Sequence, residues 1–177
     1  MTRAACLGIL TVALAAQGCG YALVGRGVNV DPSIKRLGVP LFKDRTGRAG
    51  LDQKVTQKVI EELLKRGRFE VIQDRTGADA VVEGDLIAYT ETPAGFTPST
   101  GADSRTRASR YVIMLIADVA YTKAGEKEPI WSNEHFAVTD VYDVTESSDG
   151  LTDSEQAVDR MTTAFARRLV GEMLEGF

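Results

Sequence analysis

Six apolar residues, Leu51, Val55, Val59, Ile60, Leu63 and Leu64, recur at three- and four-residue steps. That spacing predicts an amphipathic helix over Leu51–Arg66. Lys54, Lys58, Glu61, Glu62, Lys65 and Arg66 fill its other face. Lys65 and Arg66 suit the negative end of the helix dipole, and Gly67 is the expected stop. A second stripe, Val158, Met161, Phe165, Leu169 and Met173, predicts a closing helix reaching about Leu174. Thr152-Asp153-Ser154-Glu155 ahead of it has the form of a capping box. A helix with one apolar stripe has to bury that stripe against another layer. The remaining segments must supply it.

Those segments read as strands. Lys35–Phe42 is a short apolar run holding Pro40, which cannot donate to a ladder, so the strand lies at an edge or ends early. Phe69–Ile72 is a second. In Val81–Thr92, Val82, Leu86 and Ala88 share one face and Glu83 and Asp85 the other, the pattern of a half-buried strand. Tyr111–Thr122 is apolar on both faces in its first half, which suits a central strand. Lys123–Glu128, with Gly125, predicts a hairpin turn into a partner strand over Pro129–Val141. The order predicts an α+β fold: a two-layer sandwich with a mostly antiparallel or mixed sheet of four to five strands and two helices on one face. Leu63, Met114, Ile116, Phe165 and Leu169 are its expected core.

The chemistry-bearing residues exclude more than they suggest. The single histidine, His135, falls in a predicted strand with no cysteine or second histidine to share a metal. Glu61 with Glu62 and Glu83 with Asp85 sit on polar faces, away from the apolar setting that raises a carboxylate pKa for acid–base work. There is no nucleophile elbow and no phosphate loop. No enzyme, no cofactor and no metal site is expected. A formal net charge of −4 argues against a nucleic-acid binder, which carries a basic face.

The N-terminal region has its own logic. Arg3 precedes an apolar run, Ala4–Ala16, shorter than the about 20 residues a membrane-spanning helix takes but suited to a signal peptide. Gly18-Cys19 then resembles the lipobox of bacterial lipoproteins, departing from it at Ala16, where that pattern prefers leucine. The resemblance implies lipid attachment at Cys19. The expected organisation is a lipoprotein-type signal over residues 1–18, a lipidated N-terminus and tether over 19–34, and one α+β domain over 35–177. Gly20, in place of the aspartate tied to inner-membrane retention, implies the outer membrane.

One connection stands out. Pro93–Ser109 is longer than the about 12–15 residues usual for an unstructured loop. It holds Arg105 and Arg107, and Arg110 opens the next strand. Guanidinium groups clustered this way suit phosphate recognition, each donating two parallel hydrogen bonds to one anion.

Several of these features together resemble the LptE family of lipopolysaccharide-assembly lipoproteins. They are Cys19-Gly20-Tyr21-Ala22-Leu23, the helix at Leu51–Arg66, Ala78-Asp79 ahead of a strand with Gly84, Ser109-Arg110-Tyr111 leading into an apolar strand, and the closing helix. The resemblance implies a lipid-anchored plug inside the outer-membrane β-barrel LptD that assists its assembly and binds lipopolysaccharide, with Arg105 or Arg107 in the place of a basic loop residue of that family. Their clustering makes Arg105, Arg107 and Arg110 together the expected phosphate contacts. The loop before the last helix, Glu146–Asp153, lacks the basic residue such proteins carry there. Other periplasmic lipoproteins with similar two-layer domains, which activate cell-wall synthases or build secretion pores, share the lipobox and the alanine–aspartate pair and stand as the alternative.

Overall fold

The computed structural model describes residues 31–98, 106–144 and 150–175. Cys19 and the signal and tether ahead of residue 31 lie outside the described residues. The elements in chain order are β1 (Arg36–Gly38), β2 (Lys43–Asp44), α1 (Leu51–Arg66), β3 (Glu70–Ile72), β4 (Ala80–Pro98), β5 (Thr106–Lys123), β6 (Pro129–Asp143) and α2 (Gly150–Glu175). One mixed sheet has the order β3-β1-β4-β5-β6, with β2 pairing β4 beyond the end of β1. The three short strands pair in parallel, whereas β4, β5 and β6 form antiparallel hairpins. Both helices cover one face of this sheet. The expected α+β sandwich is what forms, with the two-residue β2 as a sixth strand.

Pro40 acts by ending β1 at Gly38, not by confining it to an edge, since β1 lies between β3 and β4. α1 stops as expected: Gly67 takes a left-handed conformation, φ 64°, and its N–H donates to the Leu64 carbonyl at 3.0 Å. A residue with a Cβ is strained at that dihedral. Leu51, Val55, Val59 and Leu63 are buried, while Leu64, expected in the stripe, is 54% exposed. All five residues of the α2 stripe are buried. α2 already begins at Gly150, so Thr152 falls in its first turn instead of at its cap. The Glu155 carboxylate serves α1: it accepts from Arg48 at 2.7 Å and from Lys54 at 2.5 Å.

With Lys58–Asp159 and Arg66–Glu175, these pairs show the helices lying side by side and running parallel. Each exposed pair contributes little alone. The core beneath them contributes far more, joining Phe42, Val55, Leu63, Leu86, Leu115 and Phe165 in one cluster. Phe42 shows how tightly it closes. Its N–H donates to the buried Thr56 hydroxyl at 3.0 Å, and its ring lies directly over Gly84, where an added Cβ would overlap ring carbons.

Candidate functional site

Alternation along β5 separates two apolar sets. Ile113, Leu115, Ala117 and Val119 point to the helices and are buried. Val112, Met114 and Ile116 point the other way and are only partly buried. Met114 and Ile116 were expected in the core. Side chains of a strand alternate faces, and the helices take the odd-numbered positions. Ala88 is likewise on the uncovered face, because a bulge between Leu86 and Ala88 shifts the alternation by one residue.

Register assembles the uncovered face across three strands. Ala88, Ile116 and Ala137 form one row, Thr90, Met114 and Thr139 the next, and Thr92, Val112 and Val141 the third. Val141 is 45% exposed. These rows make an apolar patch on which no described element packs. An exposed contiguous apolar patch marks an interaction surface more often than a scattered leucine does.

The patch has charged ends. At one end Arg110 faces Asp143 across the strands, its Nε donating to Oδ1 at 2.6 Å and Nη2 to Oδ2 at 3.1 Å. That hydrogen bonding holds the Asp143 carboxyl below its ordinary pKa and raises that of Arg110. Both side chains are exposed, so an anion could compete with Asp143 for this guanidinium. Arg105 lies outside the described residues, as does the side chain of Arg107; the Arg107 backbone pairs with Thr97 in the extended hairpin. The expected long loop is in fact mostly strand. β4 continues to Pro98 and β5 starts at Thr106, so the hairpin projects beyond the last β6 pair, Arg110 with Asp143.

At the other end lies a cavity of 380 Å³ lined by Lys43, Arg75, Glu83, Asp85, Asp118 and Glu134 among others. Arg75 pairs with Glu83 within this lining, and Asp85 pairs with Arg45 from outside it. Asp118 accepts the His135 N–H at 2.8 Å. His135 is exposed and sits at a bulge with φ 63°, with its neighbour Glu134 opposite the Asp118 region of β5. Among the described residues no group of three or more His, Cys, Asp or Glu side chains is placed to hold a metal.

Two features escaped sequence reasoning. The Asp79 carboxylate accepts the N–H groups of Arg36 at 2.8 Å and Lys35 at 2.9 Å, and these bonds hold its pKa below the ordinary carboxylate value. It thereby fastens the start of β1 to β4, a structural role for the Ala78-Asp79 pair. The second is a polar knot under the start of α1. Arg48 lies over the Tyr89 ring at 4.7 Å, and Glu91 accepts from the hydroxyls of both Tyr142 and Tyr89. Burial pushes the Tyr89 and Tyr142 hydroxyls up to about 12, so both remain protonated donors.

The family model LptE, described as lipopolysaccharide-assembly, matches residues 34–173. Among solved structures, a hypothetical protein from Chlamydia trachomatis aligns with a TM-score of 0.53 at 11% identity, covering 82% of this chain and 98% of its own. A putative lipoprotein from Caulobacter crescentus aligns with a TM-score of 0.51 at 10% identity, covering 78% and 87%. At such identities the likeness shows the fold. No curated protein matches the sequence.

Proposed function

The chain belongs to the LptE family of lipopolysaccharide-assembly lipoproteins, and from that premise we propose that it partners and plugs the outer-membrane β-barrel LptD. It is anchored to the outer membrane through lipid on Cys19, assists barrel assembly and helps deliver lipopolysaccharide to the cell surface. The reading needs no bond chemistry, only surfaces. The observation that carries it, beside family membership, is the apolar sheet face built on Val112, Met114, Ile116 and Val141, which the helices leave uncovered. A wide barrel whose lumen is filled by protein supplies a cover for such a face. Arg110, at one end of that face, is a proposed phosphate contact for lipopolysaccharide, together with Arg105 and Arg107.

Affinity capture from detergent-extracted membranes tests the partnership. Met114→Glu with Ile116→Glu is expected to abolish recovery of the barrel while leaving the melting temperature nearly unchanged; recovery at wild-type level overturns the assignment of this face. Changing Arg105, Arg107 and Arg110 together to Ser is expected to weaken lipopolysaccharide binding, with added salt reproducing part of the loss. Normal binding by that variant removes the arginines from the ligand site. Mass spectrometry of the mature N-terminus checks the anchor: a chain without lipid on Cys19 ends the lipoprotein assignment.

A further inference from the structure

The sheet leaves two long stretches of strand edge open to neighbours, and they are treated differently. One is β6, the last strand in the order. Three of its outward backbone groups are occupied by side chains. Arg168 of α2 donates to the Ala137 carbonyl at 3.1 Å, and Arg160 to the Val141 carbonyl at 3.2 Å. The Val141 N–H donates to the Asp140 carboxylate at 2.7 Å. An edge blunted in this way is a poor template for another strand.

The other is β4 beyond Leu86. β1 and β2 pair with it only as far as Asp85–Leu86, and the Arg45 N–H takes the Leu86 carbonyl at 2.9 Å. The direction of the later backbone groups follows from alternation, because both polar groups of a strand residue point to the same side. Ala137 and Val141 point out of the sheet, so Val138, Asp140 and Tyr142 point to β5. Their partners Leu115, Ile113 and Tyr111 point back to β6. Val112, Met114 and Ile116 then point to β4, where they meet Thr92, Thr90 and Ala88. Tyr89 and Glu91 are left facing outward, and their backbone N–H and C=O groups have no partner among the described residues. Neither arginine nor proline blocks them; Pro93 limits the open run at its far end.

We infer that the β4 edge at Tyr89–Glu91 is a strand-addition site for an extended segment of the barrel partner. The inference rests on the partnership proposed above. Backbone pairing supplies the affinity in this mode of recognition, and alternate side chains supply the selectivity. The added strand continues the row that β2 begins, and it widens the apolar face whose nearest rows hold Ala88, Thr90 and Thr92. The wall strands of a closed barrel are already paired with each other, so the segment is an extended loop or terminal stretch of the partner. Three outward positions, counting the Pro93 carbonyl, match a segment of about five residues at about 3.3 Å each.

Amide exchange on the full chain, free and in complex with the barrel, tests this. The Tyr89 and Glu91 amides are expected to exchange fast in the free protein, unlike that of Thr90, and to slow at least about tenfold in the complex. Glu91→Pro deletes an outward N–H without touching the β5 ladder, and Glu91→Ala controls for the lost carboxylate. The proline variant is expected to bind the barrel about tenfold more weakly than the alanine variant. Equal binding by the two, or unchanged exchange in the complex, overturns strand addition while the partnership stands. Failure of the wild-type chain to bind the barrel overturns the partnership itself. Slow exchange at Tyr89 and Glu91 in the free protein overturns the inference by giving the edge to this chain: to another segment if independent of concentration, to a second copy if not.

Discussion

Adjacent residues of β5 have similar composition and opposite environments. Ile113 and Leu115 are fully buried beneath the helices, whereas Met114 and Ile116, each one position away, face outward and are only partly buried. A strand apolar on both faces needs cover on both. Here the chain provides cover on one face only, by laying α1 and α2 side by side. The uncovered set is therefore where this protein presents apolar area to something outside its own described fold. Transfer of apolar surface out of water drives both folding and association; on β5 the odd positions serve the first, and the proposed partnership assigns the even positions to the second.

The largest test of that contrast lies under the helices. Leu115→Ala or Leu169→Ala should destabilise the fold by about 2–5 kcal/mol, as deletions of large buried aliphatic groups do. Denaturant melts read this directly, and a neutral result would dissolve the distinction between the faces. Gly84→Ala comes next. Its new Cβ overlaps the Phe42 ring, which Thr56 and the core hold in place, so a loss of about 1–3 kcal/mol is expected. Gly84→Ala combined with Phe42→Leu should recover part of it if the clash is the cause.

A smaller effect belongs to pH. The folded-state pKa of Asp79 is depressed by the Arg36 and Lys35 amides. Its contribution is therefore complete above its unfolded value near about 4 and is lost as pH falls through the lower folded value. Asp79→Asn should lower the denaturation midpoint at pH 7, and the gap from wild type should narrow toward pH 2–3. A gap that stays constant with pH would mean that the carboxylate charge is irrelevant to holding β1. The smallest stability effect is expected on the open face. Met114→Ala should cost under about 1 kcal/mol, in line with surface changes, while weakening capture of the barrel. A loss as large as that of Leu115→Ala would show that the face is covered within the chain itself.

Periodicity alone placed most of the elements. The steps of Leu51, Val55, Val59 and Leu63 located α1, and those of Val158 to Met173 located α2, because a 3.6-residue repeat exposes one face to one layer. Gly67 ended α1, the apolar run of β5 placed it centrally, and the residues resembling LptE pointed to the family that the 34–173 match establishes. Side-chain alternation also said that β5 had two apolar faces. It had no means of saying which face the helices would take, since an apolar position has the same composition on either side. Only three-dimensional packing assigned Ile113 and Leu115 inward and Met114 and Ile116 outward. The bulge near Ile87 is likewise a backbone event with no residue signature, and it moved Ala88 to the open face. The edges needed the tertiary structure most of all: Arg160 and Arg168 each take a carbonyl of the β6 edge from a helix about 20 to 30 residues away in sequence. Which backbone groups remain unpaired depends on the whole register, and local sequence does not carry that information.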